Sequence, residues 1–191
     1  MMFKATSWIG YSFSLTVLAA SVVVVGLEGA ISSTFSIQSI ASQIAQKTNI
    51  PILLPSEDVI QKYESKANYA YVSTKSQYYD YDVNFNNEPG NPGNAALRFS
   101  IKAKKDGNID RTSPDKKANF KDIRLLNGSN ALLIQQCGAA CWSWLQWKQN
   151  GVLYEVWSKT RTPETAIAIA NSAIKAGDRR LKVSADRVFT N

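Results

Sequence analysis

The strongest structural signal in this chain is a hairpin in residues 142–157, which read WSWLQWKQNGVLYEVW. Asn150 and Gly151 stand between two strand-like runs. Asn-Gly is the preferred pair for a two-residue type I′ turn, because both positions need a positive φ. Such a turn sets the register of the two strands. The predicted cross-strand pairs are Gln149 with Val152, Trp147 with Tyr154, Leu145 with Val156, and Trp144 with Trp157.

The two faces of this hairpin differ in character, because side chains alternate along a strand. We expect one face to belong to the core, and its members are Leu145, Trp147, Tyr154 and Val156. The other face carries Trp142, Trp144 and Trp157, here named the tryptophan cluster. The simpler interpretation is that another element, such as the C-terminal helix, covers this cluster, since large aromatic side chains are usually buried. The functional alternative is an aromatic platform that binds a sugar ring, a peptidoglycan fragment or another apolar ligand.

Other segments show the same period-two pattern of strands. In residues 78–86 the apolar positions are Tyr79, Tyr81, Val83 and Phe85. Residues 96–103 are predicted to return beside them, with Leu97, Phe99 and Ile101 facing inward. Residues 123–126 and 131–135 are predicted to form two more strands, joined by Asn127-Gly128. The pattern predicts an α+β fold: an antiparallel sheet of about six strands packed against at least one C-terminal helix, in a single domain over residues 48–177.

Helical patterns flank these strands. After the hairpin, Thr162 is the expected N-cap of a helix and Gly177 its stop. Its apolar stripe is Ala166, Ile169, Ala170 and Ala173. Residues 27–47 form either a spacer or a short helix, in which Ile37, Ile40 and Ile44 have helical spacing. Residues 178–191 are a basic tail that we expect to be loosely held.

The N-terminus has the pattern of an export signal. Lys4 precedes residues 8–27, which contain no charged residue. A short basic region followed by an apolar run is typical of a secretory signal peptide. About 20 apolar residues also suffice to cross a bilayer, so residues 1–26 are either a signal peptide or an uncleaved membrane anchor. Both readings predict an exported protein, periplasmic or anchored to the outer face of the plasma membrane.

Export changes the interpretation of the two cysteines. Cys137 and Cys141 enclose Gly138, Ala139 and Ala140. In an oxidising compartment an even number of cysteines usually forms disulfides, and a redox-active pair is more often spaced Cys-x-x-Cys. We therefore predict a structural Cys137–Cys141 disulfide that closes a short loop.

Composition excludes several classes of function. The 191 residues include no His and only two Cys, which excludes a Ser-His-Asp triad, a His-ligated metal and a four-cysteine cluster. We therefore expect no metal and no cofactor. Of the net charge of +7, Lys4 belongs to the N-terminal signal, and much of the remaining excess lies in the tail and in residues 102–124, a segment interpreted as a solvated loop. It contains too few aromatics for nucleic-acid binding, and we expect no nucleic-acid partner; an anionic envelope polymer or lipid surface fits better. Contact with a membrane is otherwise expected only through the N-terminal segment, if it stays uncleaved.

No residue is assigned a catalytic role from the sequence. The leading hypothesis is a non-enzymatic binding or structural module of the cell envelope. The alternative is a carboxylate-dependent hydrolase of the periplasm or envelope, which needs two acids converging in one cleft. Asp80, Asp82 and Glu155 are the carboxylates considered for that role.

Four segments together resemble a family of exported, uncharacterised proteins from cyanobacteria. They read IPILLPS (residues 50–56), CGAAC (137–141), QWKQNGVLY (146–154) and ANSAI (170–174). The resemblance covers roughly residues 48–177 and implies an exported α+β domain, without implying an activity. Relatives often carry a further cysteine pair near the loop that here reads GNPGNAA (90–96), where this chain has none.

Overall fold

A computed structural model describes residues 35–74, 77–90, 94–112, 118–160 and 162–181. The predicted signal peptide or anchor in residues 1–26 lies outside the described residues, as does the tail beyond residue 181. Within these described ranges, no helix has both the length and the apolar character required to cross a membrane.

The described chain forms a seven-stranded antiparallel sheet with three helices. The helices are α1 (Ile37–Ala45), α2 (Glu57–Tyr63) and α3 (Glu164–Ala176). The strands are β1 (Tyr69–Ser73), β2 (Tyr81–Asn86), β3 (Leu97–Lys105), β4 (Asn119–Arg124), β5 (Asn130–Cys137), β6 (Cys141–Gln149) and β7 (Val152–Ser158). Their order in the sheet is β1-β2-β3-β7-β6-β5-β4. The predicted α+β fold is confirmed. The sheet has seven strands where about six were expected, because β1 was not recognised.

The central hairpin has the predicted turn and register. Asn150 and Gly151 adopt positive φ angles of 52° and 76° between β6 and β7. All four predicted cross-strand pairs are present. Leu145, Trp147 and Tyr154 are completely buried. The alternation of side chains therefore places this face of the hairpin in the core.

The core lies between one face of the sheet, here named the core face, and the helices. The predicted stripe of α3 is buried there, and so are the three isoleucines of α1. Residues 50–55 cross the same face, where the Tyr154 hydroxyl donates to the Pro51 carbonyl and the Tyr81 hydroxyl donates to the Leu53 carbonyl. Residues 27–47 thus contain the short helix, and segments on both sides of the predicted domain 48–177 contribute to the fold.

The ends of α3 differ in part from expectation. Gly177 ends the helix with a φ of 72°, as predicted. The prediction of Thr162 as N-cap is wrong, because the helix begins at Glu164, Pro163 occupies the cap position and no side chain caps it.

The beginning of the predicted loose tail is bonded to the domain. Asp178 Oδ1 accepts a hydrogen bond from the Ile52 amide, and Arg179 donates to the carbonyls of Leu54 and Pro55. These bonds use polar backbone groups of residues 52–55 that have no strand partner, which is why residues 178–179 are held in place.

The basic segment 102–124 is only partly a loop. Its first four residues belong to β3, and residues 119–124 form the edge strand β4. Because β3 pairs with β7 while β4 lies beyond β5, the connection between them has to pass three strands. Gly107 and Asp110, in the described part of this connection, lie over the face opposite the core, here named the second face. There Gly107 lies so close to Leu153 that an added Cβ would stand 2.8 Å from the Leu153 Cβ, and the Asp110 amide donates to Gln146 Oε1.

Candidate functional site

The second face holds a depression of about 560 Å³ near the end of the hairpin that carries the disulfide. Its lining combines two indole rings with mostly polar side chains. The lining residues are Asp82, Asn84, Asn94, Leu97, Ser100, Lys102, Gln136, Trp142 and Trp157. Here named the tryptophan depression, it is the candidate functional site.

The sheet register explains why these residues meet. Asn84 pairs with Ser100, and Ser100 pairs with Trp157, so one row of neighbours crosses β2, β3 and β7. Asp82 and Lys102 begin the next row, which continues to Glu155. Paired residues in an antiparallel sheet point to the same side, so each row presents its side chains to the second face. The depression is thus assembled from residues that are far apart in the sequence.

A bulge adds Leu97 to this lining. The pairing between β2 and β3 shifts at Phe85 and Asn86, where Asn86 pairs with Leu97. An extra residue in one strand breaks the strict alternation of sides. The prediction that Leu97 faces inward together with Phe99 is therefore wrong: Phe99 is completely buried in the core, while Leu97 lines the depression.

The tryptophan cluster is not covered by α3, contrary to the simpler expectation. The buried stripe of α3 belongs to the core cluster, on the core face, whereas all three tryptophans are half-buried on the second face. Trp142 and Trp157 line the depression, with ring centroids 6.3 Å apart and planes at 69°. Trp144 is not part of the lining. It lies against Trp157 with centroids 5.0 Å apart.

The Glu155 carboxylate holds part of this aromatic region in place by hydrogen bonds. Its Oε2 accepts hydrogen bonds from the Trp144 Nε1 at 3.3 Å and from the Tyr79 hydroxyl at 3.1 Å. The side chain is only 4% exposed, and burial raises the pKa of this carboxyl, while the bonds from Tyr79 and Trp144 and the charge of Lys102 act in the opposite direction. Glu155 is therefore an internal acceptor that orients two aromatic side chains.

Tyr79 was expected on the apolar side of a strand, together with Tyr81. This expectation is wrong, because β2 begins only at Tyr81 and the chain bends at Asp80. The Asp80 carboxylate accepts a hydrogen bond from the Lys105 amide, and Tyr79 turns to the second face. There its ring lies under the Lys102 ammonium, 4.9 Å from the ring centroid.

An ion pair forms the charged end of the depression. Lys102 Nζ lies 3.2 Å from Asp82 Oδ2, and both side chains are mostly buried. Burial raises the pKa of Asp82, while the Lys102 charge lowers it. If both groups are ionised, their charges cancel, and the described lining contains no other acidic or basic side chain.

The three carboxylates considered for hydrolysis do not converge in the depression. Asp82 alone lines it, while Asp80 lies beyond the start of β2, and Glu155 is separated from Asp82 by Lys102 in the same row. A glycosidase mechanism requires two carboxyl groups that both reach the substrate. Of the three carboxylates, only Asp82 belongs to the described lining of the depression.

The predicted disulfide is present. Cys137 and Cys141 are bonded and face each other across β5 and β6. The next pair in the ladder is Gln136 with Trp142, and both residues line the depression. The disulfide therefore links β5 and β6 directly beside two residues that line the depression.

Sequence reasoning identified the tryptophans but missed the polar lining formed by Asn84, Ser100, Lys102 and Gln136. The polar side of residues 78–86 was recognisable in the sequence, but the pairing of β3 with β7 joins residues that are about 50 positions apart in the chain. Among the described residues, no three Asp, Glu or Cys side chains are grouped so that they could hold a metal ion.

Comparisons with family models, with curated proteins and with solved structures gave no match for this chain. The resemblance to exported cyanobacterial proteins therefore stays a prediction from the four sequence segments.

Proposed function

We propose that this protein is an exported, non-enzymatic binding module of the cell envelope, and that the tryptophan depression binds a neutral sugar unit of a glycan. The export part rests on the basic and apolar pattern of residues 1–26. The sugar part rests on one observation: two indole rings and several hydrogen-bonding side chains line the same depression, and the two charged residues of the described lining, Asp82 and Lys102, form an ion pair.

The two rings supply an apolar surface of the right kind. A sugar ring has C–H groups on its faces and hydroxyls around its edge, so it combines stacking with lateral hydrogen bonds. Trp142 and Trp157 meet at 69°, which forms a corner rather than a single flat platform. Aromatic side chains in such a wall contribute a large contact area with little loss of conformational entropy.

The polar residues supply the lateral partners. Asn84 and Gln136 each offer an amide that both donates and accepts, whereas Ser100 lines the depression but is only 1% exposed. Asp82 and Lys102 neutralise each other at 3.2 Å. A charged ligand would have to compete with this partly buried ion pair, whereas a neutral polyol can add hydrogen bonds to it.

The absence of a second carboxylate in the described lining supports binding over hydrolysis. Asp82 already accepts from Lys102, and Glu155 already accepts from Tyr79 and Trp144. These contacts hold the two acids in place as structural acceptors. The hydrolase alternative gains no specific support from this geometry.

Isothermal titration calorimetry with chitooligosaccharides and soluble peptidoglycan fragments tests the proposal. Trp142→Ala should weaken binding of the recognised glycan by at least about tenfold, since truncation of a central aromatic contact typically costs that much. Trp142→Phe should restore part of the affinity. The matched control is Phe120→Ala, which removes a partly exposed aromatic outside the depression and should leave affinity unchanged.

Two results would contradict the proposal. The first is unchanged affinity in Trp142→Ala. The second is hydrolysis of the bound glycan at a rate that depends on Asp82, measured by product analysis of the same samples. That result would favour the enzyme.

A further inference from the structure

A second groove, of about 690 Å³, lies between α2, α3 and the turn that joins β4 to β5. It shares no residue with the tryptophan depression. Its lining combines basic side chains with an apolar floor. The lining residues are Ser56, Asp58, Val59, Lys62, Tyr63, Leu126, Ala168, Asn171, Ser172, Lys175, Ala176 and Arg179.

The basic side chains of this groove outnumber its acidic ones, although Lys175 attracts Asp58 and Arg179 attracts Glu57 at longer range. Lys62, Lys175 and Arg179 line it together with one carboxylate, Asp58. In the part of the chain that the structure describes, none of the three cations forms an ion pair with a carboxylate. Like charges around one groove repel one another, so an anionic ligand would reduce this electrostatic repulsion.

Arg179 is held in place at the groove. Its Nε donates to the Leu54 carbonyl at 2.9 Å, and its Nη2 donates to the Pro55 carbonyl at 3.0 Å. The hydrogen bonds of this residue leave its Nη1 without a partner among the described residues. A fixed guanidinium with remaining donors is suited to bind a phosphate oxygen, because little side-chain entropy is lost on binding.

Apolar groups of the groove remain exposed to solvent. Leu126 is 67% exposed and Tyr63 is 38% exposed. Val59, Ala168 and Ala176 continue the apolar surface between the cations. A ligand that neutralised the charges but lacked an apolar part would leave this surface in water.

We propose that this groove binds a phosphate ester whose remainder is apolar, which is the chemistry of an anionic lipid headgroup with the start of its chain. The phosphate contacts Lys62, Lys175 and the Arg179 Nη1, and the apolar part lies against Leu126 and Val59. This inference is independent of the sugar site, because the two sites share no residue and differ in ligand charge.

Calorimetry on the full chain, with octyl phosphate below its micelle-forming concentration, tests this site. Octyl phosphate should bind at least about tenfold more tightly than 1-octanol, which has the same chain without a charge. The double variant Lys62→Gln/Lys175→Gln should weaken octyl phosphate by about tenfold or more, as the loss of charge-assisted contacts predicts. Arg179 is left unchanged because it also bonds the backbone.

The matched control is Lys47→Gln/Lys121→Gln, which removes the same net charge at two exposed positions outside the groove. This control should keep the affinity of the unmodified protein. Equal weakening in both double variants would overturn the site, because it would show a general charge effect. Equal binding of 1-octanol, or no binding of octyl phosphate, would overturn it as well.

Glycerol 3-phosphate separates the two sources of the phosphate group. It carries the phosphate without the apolar chain. Octyl phosphate binding at least about tenfold more tightly than glycerol 3-phosphate supports a lipid, since each buried methylene adds to the affinity. Equal affinity would overturn the lipid and assign the groove to soluble phosphate esters.

Discussion

Trp144 and Trp157 face each other across β6 and β7, with ring centroids 5.0 Å apart and ring planes at 33°. Only Trp157 reaches the depression, while the Trp144 indole donates a hydrogen bond to the buried Glu155. The cluster therefore has two layers. Trp144 is a positioning residue that supports the ring of Trp157, and Trp142 and Trp157 form the wall that a ligand would contact.

The tryptophans of the hairpin should differ sharply in their contribution to stability. Trp147→Ala should lower the free energy of unfolding by about 3–5 kcal/mol, because this ring is fully buried and its removal leaves a cavity. Trp142→Ala should cost clearly less, because Trp142 is half-buried at the wall of a depression. Urea denaturation followed by circular dichroism gives both values. Equal losses would contradict the assignment of the two faces.

The turn glycine of the hairpin should be sensitive to substitution. Gly151→Ala should destabilise the protein by about 1–2 kcal/mol, because a side chain at a φ of 76° is strained even where space is available. Gly138→Ala is the control: it lies in the disulfide loop, has no positive φ, and an added Cβ would meet nothing within 4 Å. Thermal unfolding of both variants checks this, and an equal shift would count against the turn geometry.

The disulfide should contribute little to stability but more to the site. The double variant Cys137→Ser/Cys141→Ser should cost less than the ~3 kcal/mol estimated for a 15-residue loop, because the closed loop is very short. Ligand affinity should fall, because Gln136 and Trp142 occupy the adjacent ladder pair. Calorimetry and urea denaturation measure the two effects.

The control for that experiment is the unmodified protein with and without reductant, which should reproduce both changes. Mass spectrometry under non-reducing conditions should show no alkylatable thiol. Two alkylatable thiols in the exported protein would contradict the bond.

Stability should depend on pH through Glu155. Burial raises the pKa of this carboxyl above its ordinary value of 4.5, so the folded state keeps a proton that the unfolded chain releases. The stabilisation that comes from keeping this proton is fully present below the pKa of Glu155 in the unfolded chain. It is lost as the pH rises through the pKa of Glu155 in the folded state. Glu155→Gln cannot ionise and keeps an oxygen for the bonds from Tyr79 and Trp144. This variant should gain stability relative to the unmodified protein as the pH rises above about 4.5.

Glu155→Ala is the contrasting variant for the same measurement. It leaves the Tyr79 hydroxyl and the Trp144 N–H without their acceptor, which should cost about 1–3 kcal/mol for each group that finds no water. Urea denaturation between pH 4 and pH 7 compares the three proteins. Parallel pH profiles for Glu155→Gln and the unmodified protein would refute the raised pKa.

Local sequence patterns determined the central hairpin and its register. Asn150 and Gly151 specify a turn, and once the turn is set the strict alternation of side chains leaves one way to bury Leu145, Trp147 and Tyr154 together. The same local information located α3 with its buried stripe and the disulfide, but it left residues 27–47 as either a spacer or a short helix. These features depend on residues that are near one another in the chain.

Tertiary structure alone decided how the predicted strand pairs join into one sheet, with β3 beside β7 and β5 beside β6, and what each face contacts. Asp82 and Lys102 lie on the same side of the sheet as Trp157, but this can be deduced from the alternation of side chains only once the pairing of β2, β3 and β7 is known. That pairing depends on contacts between residues far apart in the chain. Tyr79 and Leu97 do not lie on the side of the sheet that alternation predicts, because a bend at Asp80 precedes β2 and a bulge shifts the pairing of β2 with β3. The tryptophans could be recognised in the sequence as a cluster. The polar residues that line the depression beside them are brought together only by the pairing of β2, β3 and β7.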